Sequence, residues 1–200
     1  ERQRNARPFL VPNYPIRSEI EAVGSPTYQT SVDCIYSGGD GNDKVMYPQR
    51  QMDGLFELFE NNKRYPLTIA GWSDPSFSNL RFVGFLSRPG MFDEMSRHTV
   101  GLLPWKKHWA HYYTNPNKPY EYAHAGLVVM CTSSIHPVIE SLQDCCVTFE
   151  DYPDLMKKLD YLQGHPEELY NLRKRTRELA REKLTWEKHE DQIISAYKCC

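Results

Sequence analysis

Six short apolar runs, at 32–37, 65–72, 80–86, 99–104, 128–132 and 145–149, constrain what this chain can fold into more than any other feature. They are nearly continuous in apolar character rather than alternating in and out. Strands covered on both faces carry that pattern. Helix-like stretches near 48–62, 90–97, 118–125, 136–142 and 152–163 separate them or follow them. Strand–helix alternation at this spacing predicts an α/β fold with a Rossmann-like, doubly wound parallel sheet.

The last third changes character. From 166 to 183 the chain reads as a charged helix, with Arg173, Lys174, Arg175, Arg177 and Arg181 interleaved with Glu178 and Glu182. Acids at helical spacing among the bases predict a solvated, ion-paired face rather than a nucleic-acid surface. The net charge of −2 agrees, since it offers no global attraction to nucleic acid or anionic membranes. After Thr185-Trp186 a final amphipathic helix is expected to about Tyr197, with Ile193, Ile194 and Tyr197 on one face. The opening thirty residues hold Pro8, Pro12, Pro15 and Pro26 and read as a linker. The expected organisation is therefore a linker-like segment at 1–30, a binding domain at 31–183 and a C-terminal helix at 184–200.

Other features exclude function classes. No apolar run approaches the roughly 20 residues of a membrane helix. The start, Glu1-Arg2-Gln3-Arg4, has neither an initiator Met nor the pattern of a signal peptide, and reads as a cut inside a longer protein. Of six cysteines, Cys145-Cys146 and Cys199-Cys200 are adjacent pairs, while Cys34 and Cys131 sit in apolar runs. Free thiols fit better than a disulfide framework, so a reducing, cytoplasmic setting is expected. Without a Cys-x-x-Cys spacing, a zinc ribbon or redox pair is unsupported.

Three stretches carry candidate chemistry. Gly38-Gly39-Asp40-Gly41-Asn42-Asp43-Lys44-Val45 fits one calcium β-roll nonapeptide, but a single copy cannot build a site between stacked turns. It follows an apolar run directly, so a glycine-rich turn after the first strand is expected, with backbone N–H groups open to a diphosphate. His108, His111, Glu121 and His124 have metal-ligand residue types but no signature spacing, and no metal is expected. The richest stretch is 115–129. There Asn115 or Asn117 can cap a helix, Pro119 suits its first turn, and Gly126 ends it before a buried strand. Such a helix start favours an anion, and Lys118 adds positive charge. Glu121 can accept two ribose hydroxyls, as acids do in dinucleotide sites, or it can simply complement the helix N-terminus while Lys118 stays solvated. The residues alone leave both open.

The segment Asn117-Lys118-Pro119-Tyr120-Glu121-Tyr122-Ala123-His124-Ala125-Gly126-Leu127-Val128-Val129 resembles the "N-K-x-x-E-Y-x-A-x-G-x-P-V" block of group 1 glycosyltransferases. Further blocks resemble that family in its order: Ile35-Tyr36-Ser37-Gly38-Gly39, Pro66-Leu67-Thr68-Ile69-Ala70-Gly71, Asn79-Leu80-Arg81-Phe82-Val83-Gly84-Phe85, Val100-Gly101-Leu102-Leu103-Pro104 and Leu184-Thr185-Trp186-Glu187. Pro8-Phe9-Leu10-Val11-Pro12-Asn13 resembles the family's interdomain linker. The resemblance implies the C-terminal, donor-binding half of a GT-B fold, active in glycan biosynthesis with a nucleotide sugar as partner. Membrane contact, if any, would come only through the missing N-terminal, acceptor-binding half.

By that resemblance Glu121 takes the ribose hydroxyls, Asn117 and Lys118 belong to the same block, Gly38 and Gly39 approach the phosphates, Arg50 contacts the diphosphate, and Phe82, Val83 and Gly84 border the base. No cofactor or metal is implied, and no catalytic residue is assigned. The sequence departs from the family at three positions. Tyr113 stands where many members carry an acid, which leaves the donor-sugar contact to Thr114 or Asn115; His124 replaces an Ala and Val128 a Pro. Tyr113 also keeps a non-catalytic nucleotide-sugar-binding module in play, and a GT-B-like epimerase is the other rival. In isolation the domain is expected to transfer no sugar.

Overall fold

The computed structural model describes residues 12–39 and 45–198. Six strands, β1 (Cys34–Ser37), β2 (Leu67–Ala70), β3 (Arg81–Gly84), β4 (Val100–Leu103), β5 (Val128–Thr132) and β6 (Cys146–Phe149), form one sheet in the order β3-β2-β1-β4-β5-β6. Every pairing is parallel. The doubly wound sheet expected from the apolar runs is therefore present. β1, β2, β4 and β5 are buried along their whole length, which is why they read as continuous apolar runs.

Eight helices accompany the sheet among the described residues: α1 (Arg17–Ile20), α2 (Leu55–Asn61), α3 (Arg88–Ser96), α4 (Lys118–His124), α5 (His136–Leu142), α6 (Tyr152–Gly164), α7 (Pro166–Lys183) and α8 (Glu190–Lys198). The stretch expected to be helical at 48–62 is split. A 3-10 turn at Pro48–Arg50 precedes α2, and Gln51 between them is extended. The Gln51 carbonyl accepts the Lys106 N–H at 2.8 Å, which draws this segment across to the loop after β4. The C-terminal stretch likewise begins as a 3-10 turn, Trp186–Lys188, before α8. Within α8, Ile194 and Tyr197 are exposed.

The solvated face expected for α7 is only partly present. Arg173 is 1% and Arg177 5% exposed. Arg173 donates to the carbonyls of Gly126, Thr27 and His98 at 2.9, 2.9 and 3.3 Å. Arg177 donates to the Val23 carbonyl and, at 2.8 Å, to Ser25 Oγ. A guanidinium can be buried where its rigid fork of donors finds an acceptor for each arm. Thr27, Ser25 and Val23 among these acceptors belong to the segment before β1, so the stretch that reads as a linker is fastened to α7. Ile20 and Val23 of that segment join the core. The thiols of Cys34, Cys131, Cys145 and Cys146 are free.

Candidate functional site

In a doubly wound sheet the crevice for a ligand opens where successive strands diverge, beyond their carboxyl ends. Here that point lies between β1 and β4, and a cleft of about 470 Å³ opens over it. Its wall is built from the residues that leave the strands: Ser37 and Gly38 after β1, Gly71 after β2, Phe85 and Leu86 after β3, and Trp105 after β4. The far side comes from 114–118 and Glu121, with Asn13 at the rim.

Local packing fixes α4 above this floor. Gly101 in β4 has no side chain, and a Cβ there would overlap the Tyr122 ring. The ring therefore lies on the strand, and its hydroxyl accepts the Ser37 N–H at 2.8 Å. Tyr122 thus ties α4 to the end of β1. Gly38 has φ +149°, and its missing side chain admits the Lys118 stem, whose Cε occupies the space a Cβ would need. Asn117 precedes α4, as expected, but its side chain caps nothing; its Oδ1 accepts from Asn13 Nδ2 instead. The helix ends where the sequence places the stop, with the Gly126 N–H on Ala123 O at 3.1 Å and the Leu127 N–H on Tyr122 O at 3.1 Å.

The electrostatics are uneven. No carboxylate lies in ion-pair range of Arg50 or Lys118 among the described residues. Burial holds the Lys118 ammonium below the usual lysine range, Glu121 opposes that shift, and Arg50 reinforces it. Arg50 lies over the rings of Tyr47 and Trp105, at 4.7 and 5.6 Å from their centroids. His111 holds that turn in place, since its Nε2 donates to the Gln49 carbonyl at 2.6 Å while Nδ1 meets Ser134 Oγ at 2.7 Å. Glu121 is 5% exposed and accepts from Arg88 at Oε1. Its Oε2 has no protein partner among the described residues. Arg88 is also held by Glu19; burial opposes its charge, but the bonds to Glu19 and then Glu121 raise its pKa above the arginine range. The same bond from Arg88 lowers Glu19.

Of the residues singled out from sequence, Gly38, Arg50, Asn117, Lys118 and Glu121 share this cleft. Gly39 does not line it; its carbonyl accepts the Tyr36 hydroxyl at 2.8 Å. The turn beyond it, 40–44, lies outside the described residues, and with it most of the nonapeptide. Phe82, Val83 and Gly84 also stay out of the cleft. Phe82 packs with Trp72 and Phe77, and the next residues, Phe85 and Leu86, line the cleft instead. Phe85 is 90% exposed. Arg88, Trp105 and Asn13 were not anticipated. Thr114 and Asn115 line the cleft, and Asn115 Oδ1 accepts the Tyr120 hydroxyl at 2.6 Å. Tyr113 points outward, 77% exposed. His108 and His111 lie with ring centroids 6.1 Å apart, but His124 is turned to the Leu184 carbonyl at 2.9 Å and His111 is committed as above.

The molecule is thus an α/β domain whose parallel sheet carries, over its switch point, a cleft lined by Arg50, Arg88, Lys118 and Glu121. The chain belongs to a family described as glycosyl transferase-like, which its sequence matches over residues 50–195. No curated protein sequence matches it. Its fold is similar to that of sucrose-phosphate synthase from Thermosynechococcus elongatus (TM-score 0.66, 16% identity, 92% of this chain, 49% of that one). It is similar also to Anabaena Alr3699/HepE in complex with UDP-glucose (TM-score 0.63, 9% identity, 85% and 49%). The chain thus spans about half the length of these two proteins. A C-terminal domain of a group 1 glycosyl transferase (LpcC) from Francisella tularensis is matched over nearly its full length (TM-score 0.52, 12% identity, 86% and 95%). The fold is accordingly that of the C-terminal half of a GT-B glycosyltransferase. No helix among the described residues is long and apolar enough to cross a membrane.

Proposed function

We propose that this domain binds a nucleotide-diphosphate sugar and presents it for glycosyl transfer to an acceptor held by a second domain. The observation that carries this reading is the convergence of Arg50 and Lys118, both without a carboxylate partner among the described residues, on the glycine turn beside Glu121. Two unsatisfied cations in a partly dry cleft favour a diphosphate, and the adjacent carboxylate oxygen suits the hydroxyls of a ribose. Membership of the glycosyl transferase-like family and a fold shared with a UDP-glucose complex support the same chemistry.

In this reading Lys118 and Arg50 neutralise the diphosphate as the glycosidic bond to it breaks, so no metal ion is required for that role. The base lies toward Phe85 and Leu86. Tyr113 favours a second reading, a binding module without transfer, because no acid stands where it turns outward.

The test is calorimetry with UDP, GDP and ADP and their glucose conjugates. Glu121→Ala should weaken the best ligand by roughly 2–3 kcal/mol, the contribution of a charge-assisted pair to ribose. Equal affinity in the variant would remove Glu121 from the site. Release of free nucleotide in the presence of an acceptor domain then separates transferase from module.

A further inference from the structure

We propose that Glu19 is a positioning residue for ribose recognition: by anchoring Arg88 it keeps one oxygen of Glu121 open to the cleft. The inference rests on the nucleotide reading above. Arg88 opens α3, and Glu19 grips it two-toothed, Nε to Oε1 at 2.9 Å and Nη2 to Oε2 at 3.0 Å. Of the donors that remain, Nη1 is the one that meets Glu121, and it meets Oε1 alone. A guanidinium presents its donors as a rigid planar fork. With its Nε/Nη2 edge held by Glu19, the plane is fixed in an orientation in which Glu121 receives a donor at one oxygen and not at both.

Glu19 therefore acts on the site without lining it. Arg88 lines the cleft and also a second cavity of about 610 Å³, which Glu19, Val23 and Phe92 border. The guanidinium lies 5.1 Å from the Phe92 ring centroid, which supports its plane. Were Glu19 absent, nothing among the described residues would hold that edge. Arg88, with 36% of its side chain exposed, could then turn onto the buried carboxylate and form the paired fork–fork contact that Arg and carboxylates favour. That contact would occupy the oxygen a ribose hydroxyl needs. Helix α1, in the segment preceding the sheet, thereby sets the free acceptor capacity of a residue in α4, 102 positions further on.

The experiment compares Kd by calorimetry for whichever of UDP, GDP and ADP binds best and for its 2′,3′-dideoxy counterpart. Wild type should prefer the ribonucleotide about tenfold or more, the scale of a hydrogen bond to a charged group. Glu19→Ala should reduce that preference to below about threefold while the melting temperature moves by only a few degrees. Glu19→Ala combined with Arg88→Met should regain preference, because the competing fork is gone; a purely structural role for Glu19 would not produce that recovery. An unchanged preference in Glu19→Ala, or no recovery in the double variant, overturns the proposal and leaves the nucleotide reading standing. If wild type binds no nucleotide, or binds both forms equally, the ribose role of Glu121 fails and this inference fails with it.

Discussion

Arg173 and Arg50 carry the same guanidinium into opposite surroundings. Arg173 lies beneath α4 and the segment before β1, 1% exposed, with a backbone carbonyl for each arm of its fork. Burial lowers its pKa to about 10, and the carbonyl bonds offset the cost of removing it from water. Arg50 is exposed at the cleft, stacked over Trp105 and Tyr47 with no acceptor among the described residues. Arg173 is saturated and can only hold the fold. Arg50 retains its hydrogen-bonding capacity for something that is not protein. A cation's role here is thus set by whether the fold supplies its acceptors, and its position on a helix or loop says less.

The sharpest way to break that contrast is Arg173→Ala. It leaves the Gly126, Thr27 and His98 carbonyls short of a donor, and should cost about 3–5 kcal/mol in denaturant unfolding. A loss below about 1 kcal/mol would show that water replaces the guanidinium without penalty, and the structural assignment would be wrong.

The saturated side offers a second test through Glu94, which accepts from Arg81 and sits 3.1 Å from His98 Nε2. The bond from Arg81, against burial, holds the Glu94 carboxyl down at about 2. Because the folded-state value is depressed, its stabilisation is complete above the unfolded value of 4.5 and is lost as pH falls toward about 2. Glu94→Gln should cost about 2–3 kcal/mol at neutral pH and flatten the acid limb of stability against pH. An acid limb unchanged in the variant would assign it to other carboxylates.

The smallest effect belongs to the cleft. Arg50→Ala should change unfolding free energy by less than about 0.5 kcal/mol, since no protein acceptor is lost. It should weaken nucleoside diphosphate binding about tenfold, with a shallower dependence on salt. A variant that loses stability and keeps affinity would reverse the roles assigned to the two arginines.

The fold was legible in sequence wherever burial is uniform. Strand β5 and helix α5 lie where the pattern puts them, because a fully buried strand and a short helix opening on His136-Pro137 leave local marks. The buried face of α7 was not legible. Arg173 and Arg177 look solvated beside Glu178 and Glu182, and acceptors distant in sequence, Gly126 and His98 and, about 150 positions away, Thr27 and Val23, make burial possible. The candidate site divides the same way. Gly38, Lys118 and Glu121 sit in recognisable blocks, whereas Arg88 is defined by partners 69 and 33 residues distant. The ring of Phe82 packs inside the Trp72 and Phe77 cluster, a contact the sequence does not mark, and Phe85 lines the cleft.

The strand order has a consequence for how the chain assembles. β1, β2 and β3 are joined by connections close in sequence, and so are β4, β5 and β6. Within the sheet the two halves pair at β1 and β4, where Cys34 faces Val100 and Ile35 faces Gly101, two register pairs against four between β1 and β2. Closing that seam brings together residues more than sixty positions apart, a larger chain-entropy cost than any other pairing within the sheet. The cleft lies over this seam, with Gly38 on one half and Trp105 and Lys118 on the other. A ligand held there would clasp the two halves across this seam, so it should slow the halves' separation before it affects either half alone.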